Sequence, residues 1–463
     1  MVSVKTSKKD KMYERHQRDN IVKSTDRMLN GIPQDVVLKR IRFCRLFFAA
    51  GFIVGVVICL FGVFLGFDYP YTTFLFRPED RFQDFLGVLK MTADRAPYLL
   101  TGLKEFAPGQ CPMVRSNYFP FSHLLLYPFT LINAYASLFI YSLFIIGFAI
   151  LASGKALTDG LSDTIGQRCL NILVFTLMSY PILITLDRGN IEGIIFVFLS
   201  CAAWLYLTGR GKWAAACIGF AASLKGYPIL FLVFFVKEHR WKEIMIGLAV
   251  AACLTLVALL FLKGGVFVNL TLMSGAFRNF GDAVLMQNTG ITHSISLFGM
   301  AYSCWVLLHH HTYMDVDSLQ PLFAGYSVVA GIIVLAAMTY IIISRLEFWK
   351  SWFVMVAVVQ LLPFPSGDYK LLHTLVPMFL LIRSGKETLW TSYYLALLCL
   401  IVVPKGFLIL FDDVNFGTIV NPLLILTVCI MIIVEQYYGE SLSSQRSPVA
   451  RVLPLRNKLS KKK

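Results

Sequence analysis

Two carboxylates stand four residues apart in RPEDRFQDF (77–85), at Asp80 and Asp84. On a helix that spacing puts both on one face. A partly desolvated aspartate can take the proton of a hydroxyl as that hydroxyl attacks an electrophilic carbon, so either residue is a candidate general base. Farther along, ASLKGYPIL (222–230) sets Lys225 inside a long apolar tract. An ammonium in hydrocarbon costs about 3 kcal/mol even on lenient insertion scales, so Lys225 requires an anion, a cavity, or a snorkelling route to the interface.

Three further cations occupy polar islands between apolar runs: Arg188 in LDRGN (186–190), Arg278, and Lys370 in FPSGDYKLLH (364–373). Guanidinium forks match phosphate oxygens and lysine adds a compact charge. The sequence also breaks at Lys225-Gly226-Tyr227-Pro228, where a new helix can point its first N–H groups at an anion. Lys225, Arg188, Lys370 and Arg278 are therefore the expected ligands of a phosphate, and the amphipathic anions native to a bilayer are polyprenyl phosphates and phospholipid head groups. Arg188 has a local alternative in a pair with Asp187 or Glu192.

His293 in QNTGITHSISLFG (287–299) and His373 suit hydrogen bonds to a phosphate or sugar. Neither has HxxxH or HExxH spacing, and the consecutive histidines 309–311 do not share a helix face. No metal or other cofactor is expected. Asn190, Tyr227 and Tyr118 adjoin these islands and complete the expected substrate-contacting set.

The elements that must position these residues are membrane helices. The chain is 57% hydrophobic and only 15% charged, against roughly 25% charged in soluble domains. Spans need about 20 apolar residues. Candidates run over 43–66, 121–152, 169–186, 190–208, 241–262, 322–344, 388–404 and 417–438, with 212–238, 351–364 and 371–384 open to more than one reading. Breaking 212–238 at 225–228 keeps both TGRGK (208–212) and KEHRWK (237–242) on the cytoplasmic side, as basic loops prefer. RLEFWK (345–350) and RSGKE (383–387) then fall on that side too.

The result is an all-α polytopic membrane protein of about twelve transmembrane helices with both termini cytoplasmic. Residues 1–42 form a basic cytoplasmic segment and 439–463 a basic cytoplasmic tail around a catalytic unit at 43–438. Two large extracytoplasmic loops, 67–120 and 263–321, join the other polar islands on one side, and 294–308 is a further candidate for membrane embedding. Short half-helices imply a cavity there, because irregular backbone at membrane depth must line a cavity or be covered by protein.

The net charge of +15 concentrates in the terminal tails, which suits anionic lipid. No folded basic domain accompanies them, so nucleic acid is not an expected partner. Most of the ten cysteines lie in apolar segments, against a disulfide framework. Twelve helices with cytoplasmic ends also describe a transporter or flippase of an anionic or lipid-linked substrate, yet the halves show no internal repeat of the transporter kind.

Read in order, the islands QDFLGVLKMT, YFPFSHLLLYPF (118–129), LDRGNIEGIIF, ASLKGYP, NTGITHSISLFG and FPSGDYKLLHTLVPMF resemble the GT-C superfamily of membrane glycosyltransferases. They are most similar to family GT87, the polyprenol-phosphate-mannose-dependent mannosyltransferases, over about residues 40–384. The resemblance implies a GT-C-like fold and an inverting, metal-independent transfer of a hexose, mannose or similar, from a polyprenyl-phosphate donor to a lipid or glycan acceptor. It implies Asp84 as base, Lys225 and Arg188 at the donor phosphate, and His373 near the sugar or acceptor. The expected location is a bacterial inner membrane with the active site extracytoplasmic. The chain departs from the family pattern where Asp187-Arg188-Gly189-Asn190 replaces Gly-Gln-x-x-Asn and where Phe119-Pro120 replaces a double proline.

Overall fold

The computed structural model describes residues 33–75, 81–86, 118–158, 161–162, 164–271, 273–275, 288–309, 313–383, 388–410 and 414–450. Among the described residues, five helices are long and apolar enough to cross a bilayer: α1 (Gln34–Phe64), α3 (Ala134–Thr158), α9 (Trp241–Phe261), α12 (Val316–Ile343) and the first part of α16 (Phe416–Ala450). A sixth span arises if α4 (Ile165–Leu177) and α5 (Tyr180–Arg188), bent by 51° at their junction, cross together. The bend follows from Pro181 in the first turn of α5, which cannot donate to an upstream carbonyl.

These helices present their apolar residues outward. Phe64 is 84% exposed, and Leu151, Leu335 and Ile332 are comparably open. A soluble protein buries such contiguous surface, so the exposed belt is that of a membrane protein.

Shorter helices fill the interior. They are α6 (Glu192–Leu207), α7 (Gly211–Leu224) and α13 (Phe348–Leu361), the last buried on nearly every face, as expected of a helix that is apolar all round. α7 packs between α6 and α9. The α7–α9 approach depends on Gly219 and Gly247, since a Cβ on Gly219 would collide with the Gly247 carbonyl oxygen, the close packing small residues permit between membrane helices.

The expected break at 225–228 is present. Lys225 leaves the helix in an extended conformation (φ −144°, ψ 137°), and Tyr227–Leu232 continues as a 3₁₀ turn into α8 (Val233–Lys237). A similar interruption separates α13 from α14 (Leu375–Ile382), where Asp368–Thr374 forms another 3₁₀ turn.

One expectation is corrected. Residues 121–152 are not one long helix but α2 (Pro120–Leu126), a 3₁₀ turn (Tyr127–Leu131) and α3. Pro128 opens the interruption, and the Asn133 side chain accepts from the backbone of Tyr135 (2.9 Å) and Ala136 (3.4 Å) to start α3, a capping role that asparagine favours.

Between α9 and α12 lie α10 (Asn288–Thr292) and the apolar α11 (Leu297–Leu308). After α15 (Leu389–Val402), β1 (Ile409–Leu410) and β2 (Val414–Asn415) pair as a short antiparallel hairpin that the sequence reading did not foresee. The nine described cysteines are all free.

Candidate active site

The site is assembled at the C-terminal end of α5. Gly189 caps that helix in the left-handed region (φ 65°), where glycine carries no steric cost. Its missing side chain also leaves room for Phe85, whose Cβ would stand 2.6 Å from a Cβ at 189. Segment 81–86 docks there: the Phe82 amide donates to the Asp187 carbonyl (2.6 Å), and Arg81 pairs with Asp187 (3.4 Å). The buried Phe85 ring tilts against Tyr141 and meets Phe129 edge-on.

That docking fixes Asp84. One carboxylate oxygen lies 3.0 Å from Arg188 Nε, and the other accepts from Asn190 Nδ2 at 2.5 Å. Arg188 thus adopts neither local partner offered by the sequence, because Asp187 is engaged by Arg81 and Glu192 by Lys225. Asp84 borders a small, narrow cleft also lined by Phe85, Tyr118, Leu126, Tyr141, Gly189, Ile191 and Ile194.

Asn190 links this carboxylate to a second, deeper group. Its Oδ1 accepts from the Glu192 amide (3.0 Å) and faces Lys225 Nζ at 3.5 Å, and its carbonyl accepts from the Tyr141 hydroxyl. Lys225 reaches Glu192 Oε1 at 2.9 Å. The other oxygen, Oε2, accepts from the Tyr227 hydroxyl (2.5 Å) and lies 3.0 Å from His373 Nε2. Tyr227 and His373 are themselves 3.0 Å apart. Glu192 is fully buried and Lys225 is 8% exposed, so this is an interior ion pair whose charges are matched by hydrogen bonds, as buried pairs require.

Aromatic faces complete the enclosure. Lys225 Nζ sits 5.0 Å from the Tyr118 ring centre and 5.6 Å from that of Tyr369, and Lys370 Nζ sits 5.5 Å from the Tyr227 ring, within cation–π range. Lys370 is buried and reaches the Val359 carbonyl at 3.4 Å. Its own backbone carbonyl accepts from Gln360 (2.9 Å).

Of the residues singled out in the sequence, Asp84, Arg188, Asn190, Lys225, Tyr227, Lys370, His373 and Tyr118 therefore come together from five separate stretches of chain. His293 belongs elsewhere, with Thr292 (3.5 Å) and near Asp368, whose carboxylate accepts from the Tyr180 hydroxyl at 2.6 Å. Asp80 and Arg278 lie outside the described residues. Glu192 is the central residue that the sequence reading treated only as a neighbour of Arg188. Its signal was available: it is the one carboxylate in the apolar helix EGIIFVFLSCAAWLYL, and a charge in such a helix demands a partner. Tyr141, Tyr369 and Gln360 carried no such signal.

The arrangement offers a carboxylate at a cleft, aligned by two donors, with a lysine-rich aromatic enclosure beside it. A base for an attacking hydroxyl beside cations for a departing anion is the chemistry of group transfer to an alcohol. No curated protein matches the chain. The family model described as glycosyltransferase family 87 matches residues 117–365, more than half of the 463 residues, and the match takes in Arg188, Asn190, Glu192, Lys225 and Tyr227. By that match, on a helical membrane scaffold, the chain belongs to glycosyltransferase family 87 and is a membrane glycosyltransferase.

Proposed function

We propose that this glycosyltransferase moves a hexose, mannose or a similar sugar, from a polyprenyl-phosphate-linked donor to a hydroxyl of a lipid or glycan acceptor, with inversion at the anomeric carbon. The acceptor oxygen bonds to that carbon as its proton passes to Asp84, and the bond from the carbon to the phosphate oxygen breaks. Polyprenyl phosphate departs with the bonding electrons. Arg188 and Asn190 hold the Asp84 carboxylate while leaving lone pairs on both oxygens, and Lys225 and Lys370 supply the positive field that the developing phosphate charge requires. His373 and Tyr227 border the sugar or the phosphate, and Tyr118 walls the cleft.

The observation that carries this reading is the pairing of Asp84 with Arg188 and Asn190 beside a cleft walled by Tyr118, whose ring centre lies 5.0 Å from the buried Lys225. In the accompanying topology the chain crosses the membrane about twelve times, with residues 1–42 and 439–463 cytoplasmic and the site extracytoplasmic, where lipid-linked rather than nucleotide donors are at hand. The setting that fits best is the inner membrane of a bacterium.

The test uses the purified full-length chain and a synthetic panel of polyprenyl-phosphate hexoses with lipid and glycan acceptors. Wild type is expected to transfer sugar with inversion. Asp84→Asn is expected to bind the donor normally and lose about a hundredfold to ten-thousandfold in turnover. Absence of donor binding by wild type would overturn the donor assignment, and full turnover in Asp84→Asn would remove Asp84 as the base.

A further inference from the structure

Asn421 stands apart from the groups that the proposed reaction uses. It lies near the start of α16, one turn beyond Gly417, and is fully buried. Among the described residues, neither its amide nitrogen nor its amide oxygen has a hydrogen-bond partner. A buried amide left unpaired costs stability, and a polar side chain in a spanning helix marks a functional position. Its surroundings are polar as well. A Cβ on Gly417 would stand 2.9 Å from Asn415 Oδ1, 3.3 Å from Asn421 Nδ2 and 3.8 Å from Asp368 Oδ2, so three polar atoms converge on the space that this glycine keeps clear. A Cβ on Gly406 would stand 3.4 Å from the Tyr180 hydroxyl and 3.9 Å from Asn415 Nδ2. These groups are fixed in place: Tyr180 donates to Asp368 (2.6 Å), the Gly417 amide donates to Asn415 Oδ1 (2.7 Å), and the Thr418 hydroxyl fastens α16 to the Thr292 carbonyl (2.7 Å). Asp368 and Gly406 are partly exposed, which gives a ligand a way in.

The chemistry of the cluster selects its ligand. An asparagine amide presents a donor and an acceptor side by side, the pattern that neighbouring sugar hydroxyls complement. The Asp368 carboxylate accepts from a hydroxyl and repels an anion, and the Lys405 ammonium that acts on it opposes a metal cation. Position ties the cluster to the catalytic site. Tyr180 and Arg188 stand at opposite ends of α5, roughly 12 Å of helix apart, and Arg188 holds Asp84. Asp368 directly precedes Tyr369, whose ring faces Lys225 at 5.6 Å. That separation is within the reach of a short oligosaccharide. Resting on the reading above that the acceptor carries a glycan, we infer that Asp368, Asn415 and Asn421 form a subsite for hydroxyls of an acceptor sugar remote from the one that reacts, so that the protein favours acceptors with several sugars over a single one.

The experiment measures equilibrium binding of neutral alkyl mannosides and glucosides, as mono-, di- and trisaccharides, to the full chain in lipid nanodiscs without donor, alongside the thermal midpoint. Wild type binds the trisaccharide more tightly than the monosaccharide. Asn421→Leu shrinks that gain about tenfold, the worth of one or two hydrogen bonds, while its midpoint holds or rises because an unpaired buried amide has been removed. The opposed directions of binding and stability are what a merely structural asparagine does not produce. Should Asn421→Leu fail to fold, Gly417→Ala reads the same space, since its methyl stands among the three polar atoms and shrinks the gain likewise. A gain that keeps its wild-type value in the folded variants overturns the inference, as does wild type that binds all three lengths equally or a trisaccharide displaced by inorganic phosphate. Each of those results leaves the donor reading intact, which is tested separately by binding of the polyprenyl-phosphate hexoses.

Discussion

Arg188 Nε and the Asp84 carboxylate stand 3.0 Å apart across a gap of a hundred residues in sequence, so the proposed base is aimed by a cation on another element. The contact separates two roles for Arg188. If it aligns Asp84, then Arg188→Ala lowers kcat by about tenfold to a hundredfold, the range expected from lost positioning, with little change in donor KM. Arg188→Lys restores part of that loss. If instead it binds the donor phosphate in the resting site, the same substitution raises KM and spares kcat. Steady-state kinetics with the donor varied at saturating acceptor decides between them.

Gly189 makes that alignment sterically possible. Its φ of 65° costs a residue with a Cβ roughly 1–2 kcal/mol, and the new Cβ would press on Phe85 at 2.6 Å. Gly189→Ala is expected to lower the thermal midpoint and to cost at least tenfold in turnover, because Phe85 carries Asp84 beside it. Gly147→Ala is the control. Nothing lies within 4 Å of a Cβ there, and alanine in a helix interior gains about 0.5–1 kcal/mol over glycine, so midpoint and turnover hold or rise.

Much of this site is legible in the sequence for a simple reason: charged and helix-breaking residues are rare in membrane helices, so each one marks something. Lys225-Gly226-Tyr227-Pro228 announces the broken helix, and the order of polar islands groups Asp84, Arg188, Asn190 and His373. Pairing is harder to read. Glu192 chooses Lys225, 33 residues away, and His373, 181 residues away, because helix packing brings them together and nothing local does. Apolar continuity also concealed the break at 131–133, although Pro128 and Asn133 marked it. His293 resembles His373 in its sequence surroundings, yet packing of the 3₁₀ turn at 368–374 turns Asp368 toward one histidine's neighbourhood and Lys370 and His373 toward the other site.

The Lys225–Glu192 pair yields a stability prediction independent of activity. Removing one partner of a buried pair strands the other charge, at a cost of about 3–5 kcal/mol. Lys225→Met and Glu192→Gln should each lower the thermal midpoint in detergent. The double variant Lys225→Met/Glu192→Gln should lose less stability than the sum of the two single losses, because neither charge is then left unpaired. Strict additivity would mean that the two groups do not stabilise each other in solution.

Lys405 makes stability depend on pH in a definite direction. It lies in the segment between α15 and β1, outside the spanning helices, buried and donating to the carbonyls of Ile401 (3.2 Å) and Val403 (3.0 Å). Burial pushes its ammonium down to about 7 from the ordinary 10.5, against the opposing pull of Asp368. His293 also acts on Asp368 from the facing segment. Between these two values the unfolded chain holds a proton that the folded chain has released, so stability rises with pH across the window and is lowest below pH 7. Lys405→Met removes the titrating group. Its thermal midpoint should exceed that of wild type at pH 7, and the gap should narrow steadily as the pH is raised toward 10. Parallel pH profiles for the two proteins would assign the dependence to another group.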